Sequence, residues 1–173
     1  GYLLAHYLSS HDENMALYQM GNNKEKFRLC AAIQMTSIGM PVIYYGEEVA
    51  RSGSEWPLNR NDMPWGERDI KPGKGNKRDE TLRSFYKSLL AIRLQHPALS
   101  RGDYSLLSPA DDKLLAYLRH DAATGDAVLV VVNREENEQR STFTLPAYWK
   151  TATVTDEFRH QKVAITDGKL NIT

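Results

Sequence analysis

The chain has 173 residues, 41% of them hydrophobic and 25% charged, the composition of an ordinary globular protein. Its 22 lysines and arginines balance 22 aspartates and glutamates, so no positive field exists to gather nucleic acid or an anionic membrane. The length holds one large domain or two small ones, and no apolar run is long enough to cross a bilayer as a helix.

Leu3 to Ser9 is mainly apolar and predicts a buried strand. It runs straight into the polar cluster Ser10-His11-Asp12-Glu13. Asn22 and Asn23 can cap a helix whose first turn holds Glu25. Phe27, Cys30, Ala31, Gln34, Met35 and Ile38 then recur at helical steps. Cys30, the sole cysteine, reads as a small buried hydrophobe and offers neither a disulfide nor a second thiol for a metal. That fits a cytosolic protein first, and a disulfide-free periplasmic or secreted one as well. Gly39 stops the helix and Pro41 keeps it from resuming. Val42-Ile43-Tyr44-Tyr45 predicts a second strand, buried on both faces. Strand, helix and strand in this order place ionisable groups at the C-terminal ends of both strands, the edge where parallel α/β folds carry their sites.

Val49 to Arg78 is rich in proline and glycine and reads as a long functional loop, with Lys71 to Arg78 as a solvated stretch. Asp79 caps a second helix, buried along Leu82, Phe85, Tyr86, Leu89, Ile92 and Arg93 and ended by His96-Pro97. After Gly102 the pattern turns to strands at Leu114–Arg119, Val128–Asn133, Ser141–Leu145 and Thr151–Thr155, with two more around Asp167-Gly168. Thr124-Gly125-Asp126 is a hairpin signal, and the spacing suits an antiparallel sandwich.

Six groups could carry chemistry. His11 and Asp12 can bind sugar hydroxyls or stabilise positive charge, or simply cap a turn through the backbone of Asn14 or Met15. Of Glu47 and Glu48, one can face a cleft while the other pairs with a cation, or each can be a structural ion pair or hydrogen-bond anchor. Arg60 and Asp62 stand between Trp56 and Trp65; aromatic faces stack on pyranose rings, and the same indoles can plug the loop to a core.

These residues resemble the α-amylase family of glycoside hydrolases, a (β/α)8 barrel followed by an antiparallel C-terminal domain. The family's strand-seven motif is matched by Tyr7-Leu8-Ser9-Ser10-His11-Asp12, with Ser10 where Asn is usual. Its strand-eight motif is matched by Gly39, Pro41, Ile43, Tyr44, Tyr45, Gly46 and Glu48. The run from Ala91 to Leu99, then Gly102, resembles the last barrel helix and its exit. Asn59-Arg60 and Met63-Pro64-Trp65 resemble a loop of oligosaccharide-acting members, although Trp56 stands where an Asp is expected and Asp62 replaces a Pro.

The resemblance implies an α/β fold: the C-terminal β/α units of a (β/α)8 TIM barrel over residues 1–100, then an all-β sandwich domain over 101–173 whose last strand is incomplete. Asp12 is implied as transition-state stabiliser, His11 and Arg60 as substrate ligands, Trp56, Asp62 and Trp65 as further sugar contacts, and Glu48 as structural. A retaining glycosidase also needs a nucleophile and a general acid, carboxyl groups about 5 Å apart. In the family both precede strand seven, so the chain reads as the tail of a larger enzyme acting on starch, other α-glucans or malto-oligosaccharides, inactive alone. A transglycosylase and a non-catalytic binding or scaffold relative are the alternatives. No cofactor is expected in this chain, and Ca2+ is an option only for the rest of the parent. Neither nucleic acid nor membrane is an expected partner, and open barrel edges favour self-association.

Overall fold

A computed structural model describes residues 4–65, 78–107, 113–149 and 151–172. The expected solvated stretch at 71–77, and Leu3 of the first strand, lie outside the described residues. The chain divides into two compact units, Gly1–Arg93 and Leu94–Thr173.

The first unit opens with β1 (Ala5–Tyr7), followed by α1 (Ala16–Gln19), α2 (Lys24–Thr36) and β2 (Met40–Val42). The two strands pair in parallel, Ala5 with Met40, His6 with Pro41 and Tyr7 with Val42. A parallel pair needs a crossover, and α2 supplies it. Asn23 caps α2 as expected, its Oδ1 accepting from Lys26 N at 3.0 Å. Gly39 holds a left-handed φ of +100° directly before β2, and a Cβ there would strike the Leu4 carbonyl. α3 (Glu80–Gln95) is capped by Asp79, whose Oδ1 accepts from Leu82 N at 2.8 Å. Arg93 reaches back to the end of α2 and donates to Met35 O and Gly39 O, both at 2.6 Å. Its charge sits where helix carbonyls are unsatisfied.

The core of this unit lies among the three helices. Phe27, Ala31 and Met35 of α2 meet Leu82, Tyr86 and Leu89 of α3 and Ala16 and Leu17 of α1. Leu8 and Ile43, just past the strands, pack on that core. Two expectations are corrected here. Neither strand is buried: Leu4 is 63%, Tyr7 53%, Met40 48% and Val42 41% exposed. The strands pair only with each other among the described residues, and Ala5, Tyr7, Met40 and Val42 on one face are all exposed. The second strand also ends earlier than expected, at Val42, because Tyr44 and Tyr45 are drawn into the loop that follows. Cys30 and Ile38 likewise fall off the core, Cys30 half-buried and Ile38 exposed.

The second unit begins with α4 (Pro97–Arg101), where Pro97 starts a helix rather than only ending α3. Then come β3 (Asp103–Leu107), β4 (Leu114–Asp121) and β5 (Asp126–Asn133), an antiparallel sheet in the order β3-β4-β5. β6 (Ser141–Thr144), β7 (Thr153–Asp156), β8 (Gln161–Thr166) and β9 (Lys169–Ile172) form a second, in the order β6-β9-β8-β7. Leu114 and Ala116 of the first sheet pack with Phe143 of the second, so the sheets share a core. Two of the hairpins turn where the sequence puts Gly: Gly125 has φ +74°, and Asp167 and Gly168 have φ +51° and +70°.

Candidate functional site

The chain leaves β1 at Tyr7 and enters the turn that carries His11 and Asp12. Ser9 is buried, and its Oγ accepts from Ala16 N at 2.9 Å, fixing where the turn begins and ends. Ser10 Oγ accepts from Asp12 N at 3.2 Å. His11 Nε2 stands 3.3 Å from Asp12 Oδ1. The Asp12 carboxylate is 72% exposed and faces Arg60, whose Nη2 is 3.6 Å away. A carboxylate this open is not a buried structural cap; it is presented to solvent beside one imidazole and one guanidinium.

The loop after β2 brings Arg60. It leaves through two 3-10 turns, Glu47–Val49 and Leu58–Arg60. Arg60 Nε donates to His11 O at 3.1 Å. Asn59, almost wholly buried, donates through Nδ2 to His11 O at 2.8 Å and Glu13 O at 3.0 Å. The cleft so formed has a volume of about 640 Å³. His11, Asp12 and Glu13 line one side, and Glu55, Trp56, Asn59 and Arg60 the other. Trp56 is 72% exposed, so it does not plug a core; its indole is open for stacking. Trp65 is 50% exposed and is no plug either. Neither Trp65 nor Asp62 lines the cleft.

The two glutamates after β2 differ in burial. Glu47, rather than Glu48, is the buried one, and its Oε2 accepts from Tyr44 N at 3.0 Å. Burial pushes its carboxyl from the ordinary 4.5 up to about 7, against the Ser9 hydroxyl and the Tyr44 N–H, which both favour the charged form. Burial also raises the phenol of Tyr86, helped by the charges of Glu47 and Glu48. Glu48 is half-buried and lines a second depression with Arg83 and Lys87 of α3.

Of the expected residues, His11, Asp12, Arg60 and Trp56 are therefore brought together. Arg51 escaped the sequence reading, because a lone Arg in an irregular loop has no period and no motif. It is only 5% exposed and grips the loop that carries Arg60. Among the described residues no group of three or more His, Cys, Asp or Glu is arranged to hold a metal ion, and no helix is long and apolar enough to cross a membrane.

Residues 104–173 match the family described as Maltogenic Amylase, C-terminal domain. A cyclomaltodextrinase of a Bacillus species is 35% identical over 130 residues, covering 75% of this chain and 22% of the relative. Neopullulanase 2 of Thermoactinomyces vulgaris is 34% identical over 140 residues, covering 80% of this chain and 22% of the relative. The solved structure of a cyclomaltodextrinase superposes with a TM-score of 0.82 at 29% identity, covering 98% of this chain and 27% of that one. The chain thus spans about a fifth of the length of these curated relatives. Residues 104–173 belong to the maltogenic amylase C-terminal domain family, and the chain as a whole matches the C-terminal region of α-amylase-family enzymes.

Proposed function

We propose that this chain is part of a retaining glycoside hydrolase acting on α-glucans or malto-oligosaccharides, and that it supplies the binding half of the active site. Residues 1–100 are then the last two β/α units of a (β/α)8 barrel, and 101–173 its C-terminal β domain. The observation that carries the reading is the convergence of His11, Asp12, Arg60 and Trp56 on one cleft at the C-terminal end of a parallel strand pair. In this reading Asp12 faces the positive charge that develops on the sugar ring as the glycosidic bond breaks. His11 and Arg60 take hydroxyls, and Trp56 stacks on a ring. Asp62 and Trp65 serve only a sugar that extends past the cleft. Glu47 and Glu48 hold the strand end. Nucleophile and general acid come from other parts of the parent, so the chain alone does not turn over substrate. The bare face of β1 and β2 gives the isolated chain a surface for self-association.

The test is Asp12→Asn in the enzyme that contains this region. A lost electrostatic stabiliser of the transition state costs about 100-fold or more in rate. That loss in kcat, with an unchanged melting temperature, supports the reading. A loss below about tenfold would reduce Asp12 to a turn residue.

A further inference from the structure

We infer that Arg51 is a positioning residue for the cleft, holding Asn59 and Arg60 against the turn that bears His11 and Asp12. The value of this for sugar binding rests on the proposed function above; the positioning itself does not.

The guanidinium of Arg51 is spent on backbone carbonyls. Nε donates to Tyr45 O at 3.0 Å, Nη1 to Asn59 O at 3.2 Å and Asn61 O at 3.0 Å, and Nη2 to Asn59 O at 3.2 Å. Its plane lies over the Tyr45 ring, 3.8 Å from the centroid. Only a planar fork can meet three carbonyls and a ring face at once; an ammonium cannot. The phenols help: Tyr44 Oη donates to Asn59 O at 3.2 Å and Tyr45 Oη to Asn61 O at 2.8 Å. Gly46 makes room. A Cβ at that position, where φ is +87°, would stand 2.7 Å from Arg51 Cβ and 2.8 Å from its Nε.

What Arg51 grips at the backbone, Asn59 passes on through its side chain. With its carbonyl held, Asn59 points both amide hydrogens at the turn, one to His11 O and one to Glu13 O. These two acceptors straddle Asp12. The amide cannot be the other way round, since Oδ1 would then face two carbonyls. Arg60 follows in sequence and reaches the same His11 O and the Asp12 carboxylate. The arginines therefore divide the work. Buried Arg51 sets the loop, and exposed Arg60 meets the ligand.

The test uses the isotopically labelled chain in solution. In Arg51→Met we expect the Asn59 side-chain amide protons to exchange with water about tenfold faster, the scale of one lost hydrogen bond. The His11 to Glu13 amide signals should shift, while those of α2 and the second unit stay in place. Tyr44→Phe, which removes one phenol from the same carbonyl, should give the same pattern more weakly and decides the matter if Arg51→Met does not fold. Unchanged Asn59 exchange and unmoved His11 to Glu13 signals in the folded variant would overturn the inference, as would a uniform loss of protection across the first unit, the mark of a merely structural residue. A parallel titration with maltotriose separates the two claims. If the wild-type chain shows no response to the sugar, the sugar-site reading fails, yet the exchange data still judge Arg51.

Discussion

Asn59 and His11 lie 48 positions apart in sequence, and the Asn59 amide donates to the His11 carbonyl at 2.8 Å. This bond ties the loop after the second strand to the turn after the first. It joins two separate strand ends in one cleft wall, and its partner bond to Glu13 O at 3.0 Å holds the backbone on the other side of Asp12.

Arg60 offers the first check on that wall. Its guanidinium reaches the Asp12 carboxylate at 3.6 Å while remaining half-exposed. An exposed ion pair of this kind contributes little to stability. Arg60→Ala should leave the melting temperature almost unchanged and weaken maltotriose binding by about tenfold, the worth of one charge-assisted hydrogen bond. Calorimetric titration reads both partners. An unaltered affinity would remove Arg60 from the site.

Glu47 predicts a pH dependence. Its carboxyl titrates at about 7 in the folded chain against an ordinary 4.5, so the folded state binds the proton more tightly. The stabilisation is fully present below pH 4.5 and is lost as pH rises from there through 7. The span corresponds to at most about 3 kcal/mol. Glu47→Gln should therefore flatten the fall in stability across this window, as followed by urea unfolding. A wild-type profile that rises between these limits, with no change in Glu47→Gln, would contradict the assignment.

Asp79 acts in the opposite sense. The Lys24 ammonium at 2.5 Å, and then the Leu82 N–H, hold its carboxyl below the ordinary 3.8. Its contribution is present above the unfolded value and disappears as the pH falls through the folded one. Asp79→Ala removes the cap of α3 and should cost about 1 kcal/mol at neutral pH. The difference between wild type and variant should shrink in acid, and a difference that grows there would refute the cap.

The uncovered strand face bears on the behaviour of the chain in solution. Tyr7, Met40 and Val42 share it, each more than two-fifths exposed. Sedimentation should show concentration-dependent association, reduced in Val42→Lys because a charge on an open strand opposes pairing. A monomer at all concentrations in both proteins would dismiss this surface.

Much of the fold is readable from local signals. Asn23 and Asp79 are capping residues by type and position, and both caps form. Gly125 and Gly168 mark hairpins by the φ they alone tolerate cheaply. The cleft residues His11, Asp12 and Arg60 are legible because motif residues keep fixed places along the chain. Other features depend on contacts between distant residues. Strand burial is not readable this way, because an apolar run reports a preference for burial, not the presence of a neighbour. The role of Arg51 is invisible in sequence because its partners are carbonyls, which every residue has and no sequence pattern advertises. β3 gives no burial signal because Asp103–Leu107 is mostly exposed and owes its shape to pairing with β4. α1 is too short, at four residues, for any period to register.

One sample tests the central claim, that these residues bind an α-glucan but do not cleave it. The labelled chain is titrated with maltotriose and followed by NMR, reading protein amides and sugar anomeric protons together. The account predicts shifts centred on His11 to Asn14 and Glu55 to Arg60, lost in Asp12→Ala, with no growth of maltose or glucose signals. Shifts absent from that cleft, or products that accumulate with the wild-type chain and not with Asp12→Ala, would contradict it.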